Sequence, residues 1–245
     1  MKVMDYINDK IKHETLHMGL IDPDEQSPTV AGEVAEILES VGSDAVMVGG
    51  STGIKKEQLD KTVKQIKKST DIPVILFPCG ASTISPYADA IYFMSMLNSR
   101  DLTKVIGEQV VGAPIIKKIG VEPLPMGYLI VEPGMTVGKV GEADLLPRND
   151  PSITVSYCLA AQYLGMRLIY LEAGSGAPEP VPGKMIESVK ENIDVPLIVG
   201  GGIRTPENAA QISNSGADVI VTGTLIEESS DLREKLKGII SAIKE

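Results

Sequence analysis

The run Tyr170-Leu171-Glu172-Ala173-Gly174-Ser175-Gly176 joins an apolar strand to a carboxylate and then to a loop of small residues. Backbone N–H groups in such a loop can close around an anion, as in a phosphate-handling site. The same strand-end pattern recurs at Gly200-Gly201-Gly202 and at Gly223-Thr224, each after a short apolar run. Three such ends converging on one point would make a cage of N–H donors. Glu172 shares a strand face with Tyr170, two residues earlier, and could accept hydrogen bonds from a polyol or act as a general base. A solvated carboxylate that caps the next helix is the plainer alternative.

Other strand ends add to the chemistry. Asp22-Pro23-Asp24 offers hard oxygen ligands of the kind Mg²⁺ takes, one or two carboxylates beside substrate phosphates, or else a turn and an N-cap. Gly49-Gly50-Ser51-Thr52-Gly53 supplies a hydroxyl and close backbone approach, or a simple turn. Arg204, Lys55 and Lys56 read either as phosphate contacts or as solvated residues at helix starts. His13 and His17 have no Ser or Cys nucleophile and orienting partner beside them, and read as structural. Tyr92, Phe93, Met94, Met96 and Leu97 form a bulky strand that is either core or the wall of an apolar groove.

The elements that must position these groups alternate. Apolar runs suited to buried parallel strands lie at 16–21, 45–48, 74–77, 90–97, 127–131, 168–171, 197–199 and 219–221. Helix-like stretches separate most of them, at 29–40, 57–69, 102–119, 152–164, 183–192, 206–215 and 231–244. About eight βα units in this length predict an α/β fold, a closed TIM (β/α)₈ barrel spanning 1–245 as a single domain. Two echoes support a repeated unit. Gly42-Ser43-Asp44-Ala45 is matched by Gly216-Ala217-Asp218-Val219, and Asp71-Ile72-Pro73-Val74 by Asp194-Val195-Pro196-Leu197. Between Cys79 and Asp89 there is little room for a helix, so the third helix is expected to be short, broken or replaced. The segment from Glu132 to Pro151 reads as a long loop that could lie over the barrel mouth.

Composition bounds the rest. With 23 basic against 33 acidic residues the chain carries a net charge of −10, which excludes a general nucleic-acid binder. An apolar fraction of 43% supports a substantial core. Cys79 and Cys158 are too few for a disulfide framework or a zinc site, point to a reducing compartment, and read as buried thiols. Met1–Lys12 lacks the apolar centre of a signal peptide, and no run approaches the ~20 apolar residues of a membrane span, so a soluble cytoplasmic protein is expected.

Taken in order, Leu20-Ile21-Asp22-Pro23-Asp24, Gly49-Gly50-Ser51, Leu97-Asn98-Ser99, Tyr170 to Gly176, Gly200-Gly201-Gly202-Ile203 and Gly223-Thr224 resemble the geranylgeranylglyceryl phosphate synthase family and its bacterial PcrB-type relatives. The resemblance covers nearly the whole chain and implies a modified TIM barrel whose third helix is replaced by an irregular strand. It implies a prenyltransferase that joins sn-glycerol 1-phosphate to a polyprenyl diphosphate and releases diphosphate, a first step in ether-lipid assembly. By the same resemblance Mg²⁺ is the cofactor, held by Asp22 and Ser51. Glycerol phosphate falls on Tyr170, Leu171, Glu172, Ala173, Gly174, Ser175 and Gly176, on Gly201 and Gly202, and on Gly223 and Thr224. For such a transfer Glu172 is expected to orient or deprotonate the attacking hydroxyl with Tyr170 assisting, which makes these two the expected catalytic residues. Leu20 stands where the bacterial relatives carry lysine, which favours the archaeal type and a geranylgeranyl donor. A homo-oligomer with transient membrane-surface contact is implied as well. Three rivals stay open: a synthase for a longer prenyl donor, a phosphosugar isomerase or lyase with Asp22 and Glu132 as acid/base pair, and a non-catalytic phosphate-binding barrel.

Overall fold

Every apolar run expected to be a strand is one in the computed structural model, which describes residues 1–50, 55–228 and 231–244. The strands are β1 (Leu16–Ile21), β2 (Ala45–Val48), β3 (Val74–Leu76), β4 (Ala90–Met96), β5 (Glu122–Ile130), β6 (Leu168–Glu172), β7 (Leu197–Gly200) and β8 (Val219–Thr222). They pair in parallel in sequence order, and β8 returns to β1 to close the barrel. β5 begins at Glu122 rather than Gly127. Pro123 and Pro125 concealed its first half, because proline normally argues against an interior strand.

Alternation sorts the strand residues into two cores. Leu16, Met18, Met47, Ile75, Tyr92, Met126, Tyr170, Ile198 and Val219 point inward and fill the barrel. Ile21, Val46, Val48, Ile91, Leu129, Leu171, Val199 and Ile220 point outward into the helical layer. Burial on both faces is why the strands read as unbroken apolar runs.

The helices are α1 (Val3–Lys10), α2 (Pro28–Ser40), α3 (Lys56–Ser69), α4 (Glu108–Ile119), α5 (Met135–Val140), α6 (Pro151–Tyr163), α7 (Gly183–Lys190), α8 (Pro206–Asn214), α9 (Thr224–Glu228) and α10 (Leu232–Lys244). Three of them start alike. Ser27, Asp150 and Thr205 accept a backbone N–H from the first turn, and Pro28, Pro151 and Pro206 follow where a missing N–H costs nothing. α1 had no counterpart in the sequence reading. It packs Val3, Met4 and Ile7 into the inner core and so plugs the barrel floor, its first N–H held by Glu122 at 2.6 Å.

Between β3 and β4 no α-helix forms. The segment holds a single 3₁₀ turn, Ala81–Thr83, and no strand, which corrects the expected irregular strand. A π turn at Thr103–Gly107 leads into α4. The expected loop 132–151 contains α5, whose glycines hid it. Gly134 and Gly138 are there because Leu145 packs against both. Among the described residues no helix is long and apolar enough to cross a membrane.

The Gly-Ser-Asp and Gly-Ala-Asp echoes have a physical basis at the barrel floor. Asp44 accepts the His17 N–H of β1 at 2.9 Å and pairs with Lys10 of α1. Asp218 accepts the Leu197 N–H of β7 at 2.7 Å and pairs with Lys190 of α7 at 2.6 Å. Asp89, outside the echo, does the same with Val74 of β3 and Lys67 of α3, each at 2.8 Å. Each carboxylate thus ties a helix, the strand after it and the next strand together. Asp44 also takes Lys244 of α10 at 2.9 Å, so it joins both ends of the described chain.

Because Asp44 is 1% exposed and serves two lysines and a backbone N–H, Asp44→Ala should cost about 2–4 kcal/mol. Lys12→Ala, which breaks the open pair with Asp9, should cost under ~0.5 kcal/mol. Urea unfolding of the two variants checks the ordering, and equal costs would show that the floor aspartate does not staple the barrel.

Candidate active site

The strand ends opposite the floor carry the polar groups. Tyr170 and Glu172 point inward from β6, as their two-residue spacing requires. Beside them β7 ends in glycines. A Cβ on Gly200 would collide with the Tyr170 hydroxyl, one on Gly201 with the Glu172 carboxylate, and one on Gly202 would stand 2.7 Å from the Glu179 backbone. Gly201 and Gly202 also hold φ of +84° and +73°, a conformation other residues resist. The triple glycine therefore has two uses: it leaves room for the β6 side chains and turns the chain into an anion-sized nest.

A cavity of about 40 Å³ lies there, lined by Tyr170, Glu172, Ser175, Gly201, Gly202, Arg204, Gly223 and Thr224. Thr224 Oγ1 lies 2.9 Å from Ser175 Oγ and accepts the Gly176 N–H at 3.1 Å, which ties the β6 loop to the start of α9. Arg204 lines the cavity and donates to the Ala177 carbonyl at 2.7 Å, so it braces that loop as well. Leu171 and Ala173 turn outward into the helical layer and contribute only backbone. Gly174 gives its N–H to Glu172 at 2.6 Å.

Glu172 is 8% exposed and has no basic partner among the described residues. Burial pushes its carboxyl up to about 7, although the Gly174 N–H and the Tyr170 hydroxyl both favour the charged form. Burial and then Glu172 itself push the Tyr170 hydroxyl upward, so it stays a neutral donor to that carboxylate. Tyr170 is one of four rings, with Phe77, Tyr92 and Tyr128, that pave the barrel interior. Phe77 stands edge-on to Tyr128 at 5.5 Å, and Tyr128 to Tyr170 at 5.2 Å.

A second cavity of about 370 Å³ opens on the other side of Glu172. Its walls are mainly apolar. Inward Tyr92, Met94 and Met96 of β4 line it, and so do outward Ile91 and Phe93. Both faces of one strand reach one groove because an irregular segment, and no third helix, lies beside the outer face of β4. Ile84, Gly112, Ile116, Val137 and Val140 complete the walls. Leu20, Glu172 and Ser175 belong to both cavities. A polar anion site and an apolar groove therefore meet at one buried carboxylate.

Asp22, at the end of β1, lines the groove with Glu25. Its Oδ1 accepts the Asp24 N–H at 2.9 Å, and its carboxylate lies so close over Gly50 that a Cβ there would collide with it. Burial, then the charges of Asp24 and Glu25, push its carboxyl upward, and no basic side chain pairs with it among the described residues. An oxygen donor without a basic partner on the groove wall suits a hard cation. The described residues hold no cluster of three His, Cys, Asp or Glu. Ser51, the other expected ligand, lies outside the described residues.

Several expected candidates are elsewhere. Lys55 is exposed, and Lys56 donates to the Ile84 carbonyl at 2.8 Å. His13 is exposed, and His17 is buried outside the barrel, bonded to Ser43 at 2.8 Å and Thr222 at 2.9 Å. Cys158 is buried as expected. Cys79 is not: it is half-buried on the groove wall. Glu132 is exposed and accepts the Arg148 N–H at 3.2 Å, so it forms no acid/base pair with Asp22. The sequence reading missed Phe77 and Tyr128. Tyr128 pairs in register with Tyr170, a signal available only once β5 and β6 are adjacent.

The chain is similar to many known proteins. The chain is 56% identical over 246 residues to the geranylgeranylglyceryl phosphate synthase of Thermococcus gammatolerans, covering 99% of this chain and 98% of that one. It is 51% identical to the synthase of the same name from Methanothermobacter thermautotrophicus, covering 99% of each. It superposes with a TM-score of 0.97 and 48% identity on (S)-3-O-geranylgeranylglyceryl phosphate synthase from Thermoplasma acidophilum in complex with sn-glycerol-1-phosphate, covering 100% of this chain and 99% of that one. Thiamine phosphate pyrophosphorylase from Pyrococcus furiosus, at 14% identity and a TM-score of 0.58, shares the fold alone. The PcrB family model matches residues 8–243, a span that includes all eight strands and both cavities, and the chain belongs to that family.

Proposed function

We propose that this chain is a prenyltransferase that joins sn-glycerol 1-phosphate to geranylgeranyl diphosphate, giving geranylgeranylglyceryl phosphate for ether-lipid synthesis. The observation that carries this reading is the position of Glu172 on the wall shared by a phosphate-sized glycine nest and an apolar groove. One substrate is small and anionic, and the other is a long hydrocarbon with an anionic head.

The nest formed by the ends of β6, β7 and β8 holds the glycerol phosphate through backbone N–H groups. Tyr170 donates to Glu172 and fixes the carboxylate toward the glycerol 3-hydroxyl. Glu172 takes the hydroxyl proton as that oxygen bonds to the first prenyl carbon and the carbon–oxygen bond to diphosphate breaks. A carboxyl held near 7 is well matched to this exchange at neutral pH. The groove keeps the prenyl chain dry and aligned, so that attack becomes effectively intramolecular. Asp22, with Ser51, would hold Mg²⁺, which when bound offsets the charge of the departing diphosphate.

Incubation with Mg²⁺, sn-glycerol 1-phosphate and prenyl diphosphates of graded length, read by mass, should give prenylated glycerol phosphate, greatest with the geranylgeranyl donor. A chelator should abolish the product and added Mg²⁺ restore it. No product with any donor would overturn the assignment, and full turnover in chelator would overturn the metal.

The buried carboxyl also leaves a mark on stability. Its folded-state value lies above the ordinary 4.5, so ionisation is harder in the fold than in the unfolded chain, and stability is lost as pH rises from 4.5 through about 7. Glu172→Gln removes that loss. Its melting temperature should exceed the parent's by roughly 3–8 °C at pH 8 and by little at pH 5. An equal gap at both pH values would show an unperturbed carboxyl.

A further inference from the structure

The groove has a seam. One wall is the irregular segment between β3 and β4, with Pro78, Cys79, Gly80, Ala81 and Ile84, and the adjoining wall is the start of α4. A helix would satisfy most of its own backbone, but this segment has one short 3₁₀ turn, with the Thr83 N–H on the Gly80 carbonyl at 3.1 Å, and other N–H groups need partners from outside. Glu108, the first residue of α4, supplies one. Its Oε2 accepts the Ala81 N–H at 2.7 Å, and Gly80 leaves it space, since a Cβ there would stand 3.0 Å away. Further along the same seam α4 has Gly112, where a Cβ would touch Ile84 at 3.4 Å and Ala81 at 3.9 Å. From the other side Lys56 of α3 holds the Ile84 carbonyl.

We propose that Glu108 is a positioning residue for prenyl transfer: its carboxylate latches the segment between β3 and β4 to α4 and holds the groove walls at the spacing that grips the polyprenyl chain. This rests on the assignment of the groove to the prenyl donor. Glu108 touches neither the glycerol-phosphate nest nor Glu172, so its loss acts on one substrate. A parted seam exposes part of the bound hydrocarbon and makes the walls pay for ordering on binding, and both effects weaken donor binding.

Cys79 makes the latch visible without turnover, because it lies on the same segment, two residues before Ala81. Cys158, with a thiol pushed up to about 12 by burial, is an internal reference that should stay unreactive. In the unliganded protein Glu108→Ala should speed maleimide labelling of Cys79 by about ten- to hundredfold, the worth of one hydrogen bond to a charged group. The same variant should raise KM for geranylgeranyl diphosphate by a similar factor and leave KM for sn-glycerol 1-phosphate within about twofold. Glu108→Gln keeps a carbonyl acceptor and should restore both readouts. Should the alanine variant fail to fold, Glu108→Asp, one methylene too short to reach, should show the same split.

Unchanged labelling and unchanged donor KM would overturn the latch. A rise in both KM values with a lower melting temperature, not rescued by Gln, would assign Glu108 a merely structural part and overturn it too. Faster Cys79 labelling in a protein whose parent makes no prenylated product would overturn the prenyl-transfer reading and leave the latch.

Discussion

A carboxylate buried without a countercharge is the constraint around which this barrel is arranged. Glu172 keeps its place because the neighbouring strand ends in glycines that give it room, and because one backbone N–H and one phenol satisfy it. Take away that room and the side chain must leave the barrel interior. Take away the burial and its proton affinity returns to the ordinary range. The glycines that admit the carboxylate also form the anion nest, so the polar half of the site and the base come from one set of small residues. Proximity of base and nest is thus built into the β6–β7 pairing rather than added by mobile loops.

The apolar half of the site comes from an omission. A regular (β/α)₈ barrel would cover the outer face of β4 with a third helix. Here a short irregular segment stands in its place, and Ile91 and Phe93 on that outer face line the groove while still packing against the helical layer. The cost is a backbone that cannot fully satisfy itself, which is why Glu108 and Lys56 reach into it from the flanking helices. The opposite end of the barrel shows the reverse economy: aspartates and lysines repeat a single tie, and nothing there is spent on chemistry.

Much of this was legible in the residues. Doubly buried strands announce themselves as apolar runs. The strand-end glycines and Glu172 were visible as local patterns, and the Asp44 and Asp218 echo was visible before its floor contacts gave it a reason. Three things were not. Pro123 and Pro125 hid the first half of β5, because their ring argues against a strand whatever the tertiary context. Gly134 and Gly138 hid α5, because the tight approach of Leu145 that requires them is a long-range fact. The inward ring cluster of Phe77 and Tyr128, and the pairing of Glu108 with Ala81, depend on which elements become neighbours, and periodicity carries no information about that.

The most direct test separates chemistry from binding at Glu172. Turnover of Glu172→Gln under saturating substrates and Mg²⁺ should be compared with its affinities for sn-glycerol 1-phosphate and for a non-hydrolysable geranylgeranyl diphosphate analogue, measured by calorimetry. A base at the junction of the two cavities requires turnover to fall by roughly 10²–10⁴-fold while both affinities stay within about threefold. Turnover at the parent level would contradict it, and so would a collapse of both affinities with turnover of the bound complex intact.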